Sequence, residues 1–245
     1  MQIIHSLSTS PTFNLAAEEF LFSERQDDLL FLYVNEPSVI IGCNQAIRNE
    51  VDLEFCNENN IQIVRRLSGG GAVYHDEGNL NFCFISNKTE GKSSLNDEFL
   101  KPIVDVLIDL DIPVKIGSRK DLWLQSEYKI TGTASHVAKN RELHHGTLLY
   151  NTDLEMLKKA LTSRSNDNCV RAIASVRSVV KNLGTYFEEQ GKRTFSLIDF
   201  YQIIFNRLLE YYNQYEIYQL SENETIKIKL LEINKYCQKE WTYKK

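Results

Sequence analysis

The segment that most constrains how this chain folds is VRRLSGGGAVYHDEGNLN, residues 64–81, in which three consecutive glycines separate two strand-like stretches. Glycine permits positive φ angles and lets backbone N–H groups approach a carboxylate or phosphate without a Cβ in the way. Glycines alone would indicate a flexible hairpin or a bulge. Two arginines precede them, and polar residues and a further glycine follow within reach of one hairpin: Arg65, Arg66, His75, Asp76, Gly78 and Asn79. This clustering favours a binding site over a purely structural turn.

The turn matches neither of the two common nucleotide-binding loops. A P-loop closes with Gly-Lys-Ser/Thr, which is missing here, and a dinucleotide-binding loop leads into a helix, whereas a strand-like run follows these glycines. A nucleotide bound at this turn must therefore be held in another way.

Short apolar and β-branched runs alternate with amphipathic segments along the chain. Six runs are predicted to be strands: residues 29–34, 39–41, 61–66, 80–85, 128–134 and 143–149. Most of them are too close in sequence for a crossover helix to fit between them, so hairpins are favoured. The predicted class is α+β, with mixed, largely antiparallel sheets and packed helices. Because no linker or repeat interrupts the pattern, residues 1–245 are expected to form a single domain.

Apolar stripes at helical spacing predict three helices. Two of them are expected to face the core: Phe99, Ile103, Leu107 and Leu110, and then Leu197, Tyr201, Ile204, Leu208 and Tyr212. The third is a terminal helix, which begins with a capping box and continues with an apolar stripe: Ser221 and Glu224, then Ile226, Leu230, Ile233 and Cys237.

The composition excludes several classes of function. A formal net charge of −5 argues against a broad nucleic-acid footprint, although a basic patch of Lys115, Arg119 and Lys120 could bind an acidic partner. The apolar runs are shorter than the roughly 18 residues that span a bilayer, and the N terminus lacks the segments of a signal peptide. Five scattered cysteines fit a reducing compartment. The predicted location is the cytoplasm, with no membrane or nucleic-acid partner.

Two further polar clusters lie in strand-like stretches. One is Lys129 with Gly132 in YKITGTASH, and the other is His144, His145, Gly146 and Thr147 in LHHGTLL. Taken singly, a lysine on a strand is usually a solvated edge residue. Paired histidines are more often structural hydrogen-bonding groups than metal ligands, because a zinc site needs three or four ligands.

Taken together and in this order, RRLSGGGAVYHDEGN, GSRKDLWL, KITGTAS, HHGTLL and SVRSVVKNL resemble the catalytic domain of the lipoate–protein ligase A family. The resemblance begins near PTFNLAAEEFLF, passes through EPSVIIGCNQ and covers nearly the whole chain to Leu183, and more loosely to Trp241 and Tyr243. It implies the α+β fold shared by biotin– and lipoate–protein ligases, which is related to the catalytic core of class II aminoacyl-tRNA synthetases.

The resemblance also implies a reaction. In this family lipoate reacts with ATP, together with Mg²⁺, and gives lipoyl-AMP and pyrophosphate. The lipoyl group then passes to a lysine of an apo lipoyl domain in a 2-oxoacid dehydrogenase E2 subunit, or of the glycine-cleavage H protein. No protein nucleophile is needed, because the acyl-adenylate is already activated.

The matching motif positions imply a set of site residues. Lys129 is the catalytic lysine, which contacts the α-phosphate and the acyl carbonyl, and Asp121 holds Mg²⁺. The residues that bind ATP and lipoyl-AMP are Arg66, Gly70, Gly71, Ala72, Val73, Tyr74, Asn79, Asp121, Lys129 and Thr131. The residues of the acyl pocket are Gly42, Ser68, Gly69, His75, Gly132, His145 and Gly146.

The sequence departs from the family pattern at a few positions. Cys43 lies where the IGRxQ motif has arginine, and it is interpreted as a packing residue, since no activating base accompanies a nucleophile there. Val179 replaces a usual arginine and Arg171 a frequent lysine, so the contacts of this loop with the adenylate are left open.

Other functions remain compatible with the same catalytic core. The chain stops before the accessory domain of roughly 80 to 100 residues that two-domain ligases carry, so it could need a separate accessory protein, or use preformed lipoyl-AMP or acyl carriers. Octanoyltransferases use a cysteine that residues 115–120 lack. A non-catalytic lipoate or adenylate binder would have no need to keep Lys129. Ligase is therefore the first choice, while the preference between lipoate and octanoate stays open.

Overall fold

A computed structural model describes residues 1–88, 97–125, 127–162, 172–214 and 217–244. The strands are β1 Gln2–His5, β2 Leu29–Val34, β3 Ser38–Ile41, β4 Gln62–Arg65, β5 Val73–His75, β6 Asn79–Asn87, β7 Val114–Ile116, β8 Leu122–Leu124, β9 Tyr128–Thr131, β10 Thr133–Ala138 and β11 Arg141–Leu149. The helices are α1 Pro11–Glu24, α2 Ile47–Glu50, α3 Leu53–Glu58, α4 Lys101–Asp109, α5 Leu154–Ala160, α6 Leu183–Glu189, α7 Leu197–Tyr211, α8 Glu222–Leu231 and α9 Lys239–Thr242. A 3₁₀ turn, Glu98–Leu100, leads into α4, and a π-helical turn, Glu232–Tyr236, follows α8.

The strands form three sheets. A central sheet has the order β1-β2-β6-β11-β10, and two smaller sheets have the orders β4-β3-β5 and β7-β8-β9. The pairs β1/β2 and β3/β4 are parallel, and the other pairs of these sheets are antiparallel. The predicted α+β class with mixed, largely antiparallel sheets is confirmed.

The central sheet is covered on both faces, which explains why its middle strands are almost continuously apolar. One face packs against α4, α6 and α7 through residues such as Leu32 and Ile204. The opposite face packs against α1 and α8, where Phe31 and Leu21 belong to one apolar cluster. A third apolar cluster lies under the β4-β3-β5 sheet and includes Tyr74. The small sheets are thereby fixed beside the central one.

Five of the six predicted strands are observed with small shifts at their ends. The prediction of one strand over residues 128–134 is wrong, because Gly132 separates β9 from β10. The Gly132 N–H donates to Thr147 Oγ1 at 2.9 Å, and a Cβ at this glycine would lie 3.3 Å from Val73 Cγ1. A glycine inside a strand pattern often marks such a close approach. Here it lets the chain pass from the small sheet to the central sheet.

The predicted helices are α4, α7 and α8. Ile103 and Leu107 of α4 are buried, as are Ile204 and Leu208 of α7, in agreement with the expected core faces. Within the described residues, no helix has both the length and the apolar surface that crossing a bilayer would require.

The terminal helix is confirmed, but its apolar stripe does not pack. Ser221 and Glu224 form the predicted capping box at the start of α8. The stripe faces solvent, since each of its aliphatic residues is more than half exposed: Ile226, Leu230 and Ile233. Ile228 and Tyr236 are buried instead. Helix α8 carries apolar residues on two faces, and tertiary packing determines which of these faces is buried.

Candidate active site

A cavity of about 230 Å³ lies where the glycine turn, β5, β9, β10 and β11 meet. Its walls differ in polarity from one end to the other. Arg119, Asp121 and Lys129 line a polar mouth, where the Arg119 side chain is 45% exposed. Leu15 and Ile40 line a closed end and are buried. The cavity can therefore hold a molecule with one charged end and one apolar end.

Lys129 is held firmly at the mouth of the cavity. Its N–H donates to the Val179 carbonyl at 2.8 Å, and the Lys181 N–H donates to the Lys129 carbonyl at 3.2 Å. Its Nζ lies 3.1 Å from Asp121 Oδ2, and its side chain is only 17% exposed. The ammonium is therefore fixed beside the cavity and is not a solvated group on a strand edge.

Asp121 is a buried carboxylate surrounded by donors. The Trp123 Nε1–H donates to Oδ1 at 2.9 Å, while Lys129 Nζ and Arg119 Nη2 lie 3.1 and 3.7 Å from Oδ2. Burial alone would raise the pKa of Asp121, but the Trp123 N–H and Lys129 outweigh it and hold this pKa below its ordinary value. An ionised oxygen ligand that lines the cavity suits Mg²⁺. The magnesium site itself stays a prediction.

Arg66 shapes the glycine turn from inside. Its guanidinium donates to the carbonyls of Gly69 at 2.6 Å, Gly71 at 2.7 Å and Ile40 at 3.0 Å. Gly70, between the two bound glycines, has a φ of 86°, in the left-handed region that favours glycine. Burial lowers the pKa of Arg66 to about 10. The arginine thus fixes the carbonyls of the turn while also lining the cavity.

Gly42 lies beneath the same turn, and a side chain there should distort it. A Cβ at Gly42 would lie 2.1 Å from the Gly70 carbonyl oxygen, so Gly42→Ala must displace backbone. We expect this variant to lose about 1–3 kcal/mol of unfolding free energy, the usual cost of overpacking. Gly69→Ala is the matched control, since a Cβ there meets no atom within 4 Å in the described part of the chain. Urea denaturation that finds the two variants equally stable would contradict this account.

A buried hydrogen-bond network lies behind the glycine turn. His145 Nδ1 lies 2.8 Å from Glu18 Oε2, and His145 Nε2 lies 2.6 Å from Ser68 Oγ. Because a carboxylate only accepts, Nδ1 carries the proton and Nε2 accepts from the Ser68 hydroxyl. Ser68 Oγ in turn accepts from Arg66 Nε at 2.9 Å. Cys83 brings a third potential metal ligand within 4.8 Å of Glu18 and His145, but the protonated Nδ1 indicates a hydrogen-bonded network.

Hydrogen bonds of Ser175 hold the segment of residues 172–181 against the glycine turn. Its Oγ accepts from the Ala72 N–H at 2.9 Å and from Gln45 Nε2 at 3.1 Å. Its own N–H donates to Glu50 Oε1 at 3.1 Å. Val176 follows at the mouth of the cavity and is 64% exposed. This segment therefore forms one side of the entrance.

Two of the three positions that depart from the family pattern lie in the described part of the chain. Val179 has an exposed side chain, and its carbonyl accepts from the Lys129 N–H, so the backbone contact does not depend on the missing arginine. The Cys43 N–H donates to the Ser68 carbonyl at 2.9 Å, and its thiol is free and partly buried. Arg171 lies outside the described residues.

Two buried histidines should make the stability of the protein depend on pH. Burial lowers the pKa of His75 to about 3 and that of His144 to about 4. Both values lie below the ordinary value of about 6.5, so the unfolded chain binds protons first as the pH falls. Their contribution to the unfolding free energy should be complete above about pH 6.5 and fall below it by up to about 1.4 kcal/mol per pH unit for each histidine.

Urea denaturation from about pH 7.5 to about pH 4.5 measures this slope. His144→Gln removes one of these rings and should make the slope less steep. Burial also lowers the pKa values of His5 and His136, which contribute to the slope that remains. A pH-independent unfolding free energy in the native protein would show that these rings are not held neutral.

Most residues that the resemblance implied meet at the cavity: Arg66, Gly70, Gly71, Ala72, Val73, His75, Asp121, Lys129, Gly132, His145 and Gly146. Six others do not line it: Gly42, Ser68, Gly69, Tyr74, Asn79 and Thr131. Tyr74 faces away because alternate residues of a strand point to opposite sides, and it packs in the third apolar cluster. Asn79 is buried and donates to Asn81 at 2.9 Å. Contacts of these six with a ligand stay predictions.

The sequence did not single out several of the lining residues: Leu15, Tyr33, Ile40, Asn81, Arg119, Thr133, Ala134, Ser175 and Val176. The sequence indicates Arg119 only as part of a basic patch. Leu15, Tyr33 and Ile40 lie in apolar stretches that are typical of a core, so no pattern separates them from it. Ala134 lies two residues after Gly132 of a recognised motif, and that proximity was a usable signal. Thr147, which the sequence did single out beside Gly146, lines the cavity as well.

The sequence and the fold both match those of known proteins. Residues 10–209 match the family model of the lipoyl protein ligase A/B catalytic domain. The chain is 35% identical over 238 residues to lipoate–protein ligase 1 of Staphylococcus aureus, which is 96% of this chain and 70% of that protein. It spans only 50–56% of the length of other curated relatives.

Solved structures give the same result. A bi-partite lipoate protein ligase from Thermoplasma acidophilum, studied with its E2 lipoyl domain, matches with a TM-score of 0.82 and 27% identity over 99% of this chain and 96% of that one. A lipoate-protein ligase A bound with ATP matches with a TM-score of 0.81 and 25% identity over 99% of both chains. This chain belongs to the family of lipoyl protein ligase A/B catalytic domains.

Proposed function

We propose that this chain is a lipoate–protein ligase that converts lipoate and ATP into lipoyl-AMP and passes the lipoyl group to one lysine of an apo lipoyl domain. E2 lipoyl domains and the glycine-cleavage H protein are the proposed acceptors. One observation carries the proposal: Lys129 and the backbone of Gly70 and Gly71 line the same cavity. The ATP-bound relative and the relative studied with its E2 lipoyl domain support it.

In the first step a carboxylate oxygen of lipoate attacks the α-phosphorus of ATP, an O–P bond forms, and the bond to pyrophosphate breaks. Negative charge grows on the phosphorus oxygens in the transition state. A fixed ammonium at Lys129 stabilises this charge, because it needs no reorganisation when the charge appears. Asp121 is the residue that would hold Mg²⁺, and a bound Mg²⁺ would supply further neutralisation of phosphate charge.

In the second step the neutral amine of the acceptor lysine attacks the acyl carbonyl carbon. A C–N bond forms, the C–O bond to AMP breaks, and the amine gives up a proton to solvent. The same ammonium of Lys129 stabilises the oxyanion of the tetrahedral carbon. The rest of the task is positioning, because the adenylate is already a good leaving group and bringing the two groups together lowers the barrier.

A second activity is favoured by one comparison. The Thermoplasma ligase that this chain matches over almost its full length is described as bi-partite. We infer that this chain is paired in the same way with a separate accessory polypeptide, and that alone it acts as a lipoyltransferase on preformed lipoyl-AMP. Activation of lipoate would then be slow until the second polypeptide is added.

Incubation of the pure protein with an apo lipoyl domain separates these activities. One sample contains lipoate, ATP and Mg²⁺, and a second contains lipoyl-AMP, and intact mass reports whether the domain gains one lipoyl group. We expect modification with lipoyl-AMP, and slow pyrophosphate release in the first sample. Rapid release would remove the need for an accessory polypeptide. No modification in either sample would indicate a non-catalytic binder and contradict the proposed function.

A further inference from the structure

His75 presents a buried ring nitrogen to the cavity without a partner from the protein. The residue is 3% exposed and lines the cavity, and its Nε2 has no hydrogen-bond partner among the residues that the structure describes. The neighbouring polar groups of the wall are already engaged. His145 is bonded through both ring nitrogens, and Thr147 Oγ1 accepts a backbone N–H. An unpaired buried polar atom is unfavourable, so a bound molecule is expected to supply the missing partner.

The neighbours of His75 determine which of its nitrogens carries the proton. Asn14 Oδ1 accepts from the Ser6 hydroxyl at 2.6 Å, and Asn14 Nδ2 donates to Asn35 Oδ1 at 2.8 Å. Asn35 Nδ2 is therefore the atom that lies 3.0 Å from His75 Nδ1, and it donates. Since Nδ1 accepts, the proton of the neutral ring is on Nε2. Burial, reinforced by Arg66, lowers the pKa of His75 to about 3 and keeps the ring neutral.

This donor lies towards the closed end of the cavity. Val73 and His75 are alternate residues of β5 and share one face. Val73 packs beside Gly132 and is half-buried, whereas His75 is buried. Two residues of a strand advance about 7 Å. His75 pairs with Ser38 across the sheet and bonds to Asn35, and both of these residues are fully buried. An acyl chain whose carboxyl group reaches the mouth therefore directs its far end towards His75.

We propose that the Nε2–H of His75 selects an acyl chain whose far end carries a hydrogen-bond acceptor. This inference rests on the proposed function, and it assigns the cyclic disulfide of lipoate as the preferred end over the methyl end of octanoate. Sulfur is a weak acceptor, yet it gives the buried N–H a partner, whereas a methyl group leaves it unpaired. Apolar walls alone discriminate weakly between acyl chains of similar size, so the donor supplies most of the preference.

The test compares lipoyl-AMP with octanoyl-AMP as acyl donors to an apo lipoyl domain. We expect the native protein to prefer lipoyl-AMP by up to about tenfold in kcat/KM, which is what one net neutral hydrogen bond contributes. His75→Phe should bring the ratio close to one by raising the use of octanoyl-AMP. Val73→Ala is the matched control, because it changes the same wall without a polar group and should affect both donors alike.

A second variant changes the proton position and leaves the shape of the pocket intact. The carboxylate in Asn35→Asp can still accept from Asn14, but it also accepts from His75 Nδ1–H and thereby turns Nε2 into an acceptor. At about pH 8.5, where an imidazole is neutral, this variant should lose the preference for lipoyl-AMP. The ¹⁵N NMR shifts of the His75 ring report the tautomer in both proteins without any assay of activity.

A native preference near one overturns the proposal, as does a preference that both His75→Phe and Asn35→Asp leave unchanged. NMR shifts that place the proton of the native ring on Nδ1 overturn it as well. If neither adenylate modifies the acceptor domain, the proposed function fails and the inference fails with it. If the protein uses both adenylates equally well, the proposed function stands and only the inference fails. If His75→Phe does not fold, the acyl preference of Asn35→Asp and the ¹⁵N NMR shifts of the His75 ring still test the proposal.

Discussion

Lys129→Ala is expected to slow lipoyl transfer from lipoyl-AMP to an apo lipoyl domain by at least about 100-fold, the usual cost of removing one preorganised charge from a transition state. The ammonium lies at the mouth of the cavity, 3.1 Å from Asp121 Oδ2. Removing it takes away the group that would stabilise both the phosphorus oxygens and the carbonyl oxyanion. Single-turnover transfer, followed by intact mass of the acceptor domain, measures the effect.

A surface lysine provides the control for this variant. Lys101 forms an exposed ion pair with Asp105 on α4, away from the residues that line the cavity, and Lys101→Ala should transfer at the native rate. Circular dichroism should show the same fold for both variants, because Arg119 remains near the Asp121 carboxylate, at 3.7 Å. A Lys129→Ala protein that transfers at the native rate would contradict the assigned role of the lysine.

Arg65→Ala is expected to have the largest effect on stability. The side chain is 1% exposed, and its guanidinium donates to five backbone carbonyls: Gly42, Cys43, Gln45, Thr242 and Lys244. The Trp241 indole N–H also donates to the Arg65 carbonyl at 2.7 Å. One arginine therefore joins the C-terminal segment to the turn below the glycines. Each buried carbonyl left without a donor costs about 1–3 kcal/mol, so we expect a total loss of more than about 3 kcal/mol.

Urea denaturation measures this loss, and Arg207→Ala is the matched control. Arg207 lies on α7 in an exposed pair with Glu210, where a substitution usually changes stability by less than about 0.5 kcal/mol. Arg65→Lys should fall between the two, because a lysine keeps the charge but cannot donate in five directions. An Arg65→Ala protein as stable as Arg207→Ala would show that these carbonyls are satisfied without the guanidinium.

The two adjacent arginines illustrate what a sequence can predict. Their position before the glycines correctly indicated a polar cluster at the turn, since charged groups in a strand-like stretch need a reason. Arg66 lines the cavity, whereas Arg65 points to the other side of β4 and binds the C-terminal segment. The two faces of a strand alternate, but which face meets the cavity depends on contacts between residues far apart in sequence.

Most of the strands were predictable because each of them has a recognisable run of apolar residues in the sequence. The apolar residues of β2, β6 and β11 are buried on both sides of the central sheet, and their runs are long enough to recognise. The break at Gly132 was not predicted, since it depends on the approach of Val73 and Thr147 from other strands. Local patterns give the elements, while tertiary contacts decide where a strand must end.

The closed end of the cavity was the least predictable part. Helix α1 begins with Ser10 as N-cap and Pro11 in its first turn, a recognisable start, but it was not predicted because it is buried on most sides and lacks a single apolar stripe. Leu15 of this helix lines the cavity. The tautomer of His75 depends on Asn35 and Asn14, and no spacing in the sequence reveals that they meet.

The central claim is that an acyl-adenylate lies between Lys129 and the glycine turn. A crystal structure of the protein with a non-hydrolysable sulfamate analogue of lipoyl-AMP tests it most directly. The account predicts that Lys129 Nζ lies within about 3.2 Å of both the acyl carbonyl oxygen and a sulfamate oxygen, with the glycine backbone on the opposite side. An analogue bound elsewhere, or bound in this cavity with its linkage beyond hydrogen-bonding distance of Lys129, would contradict it.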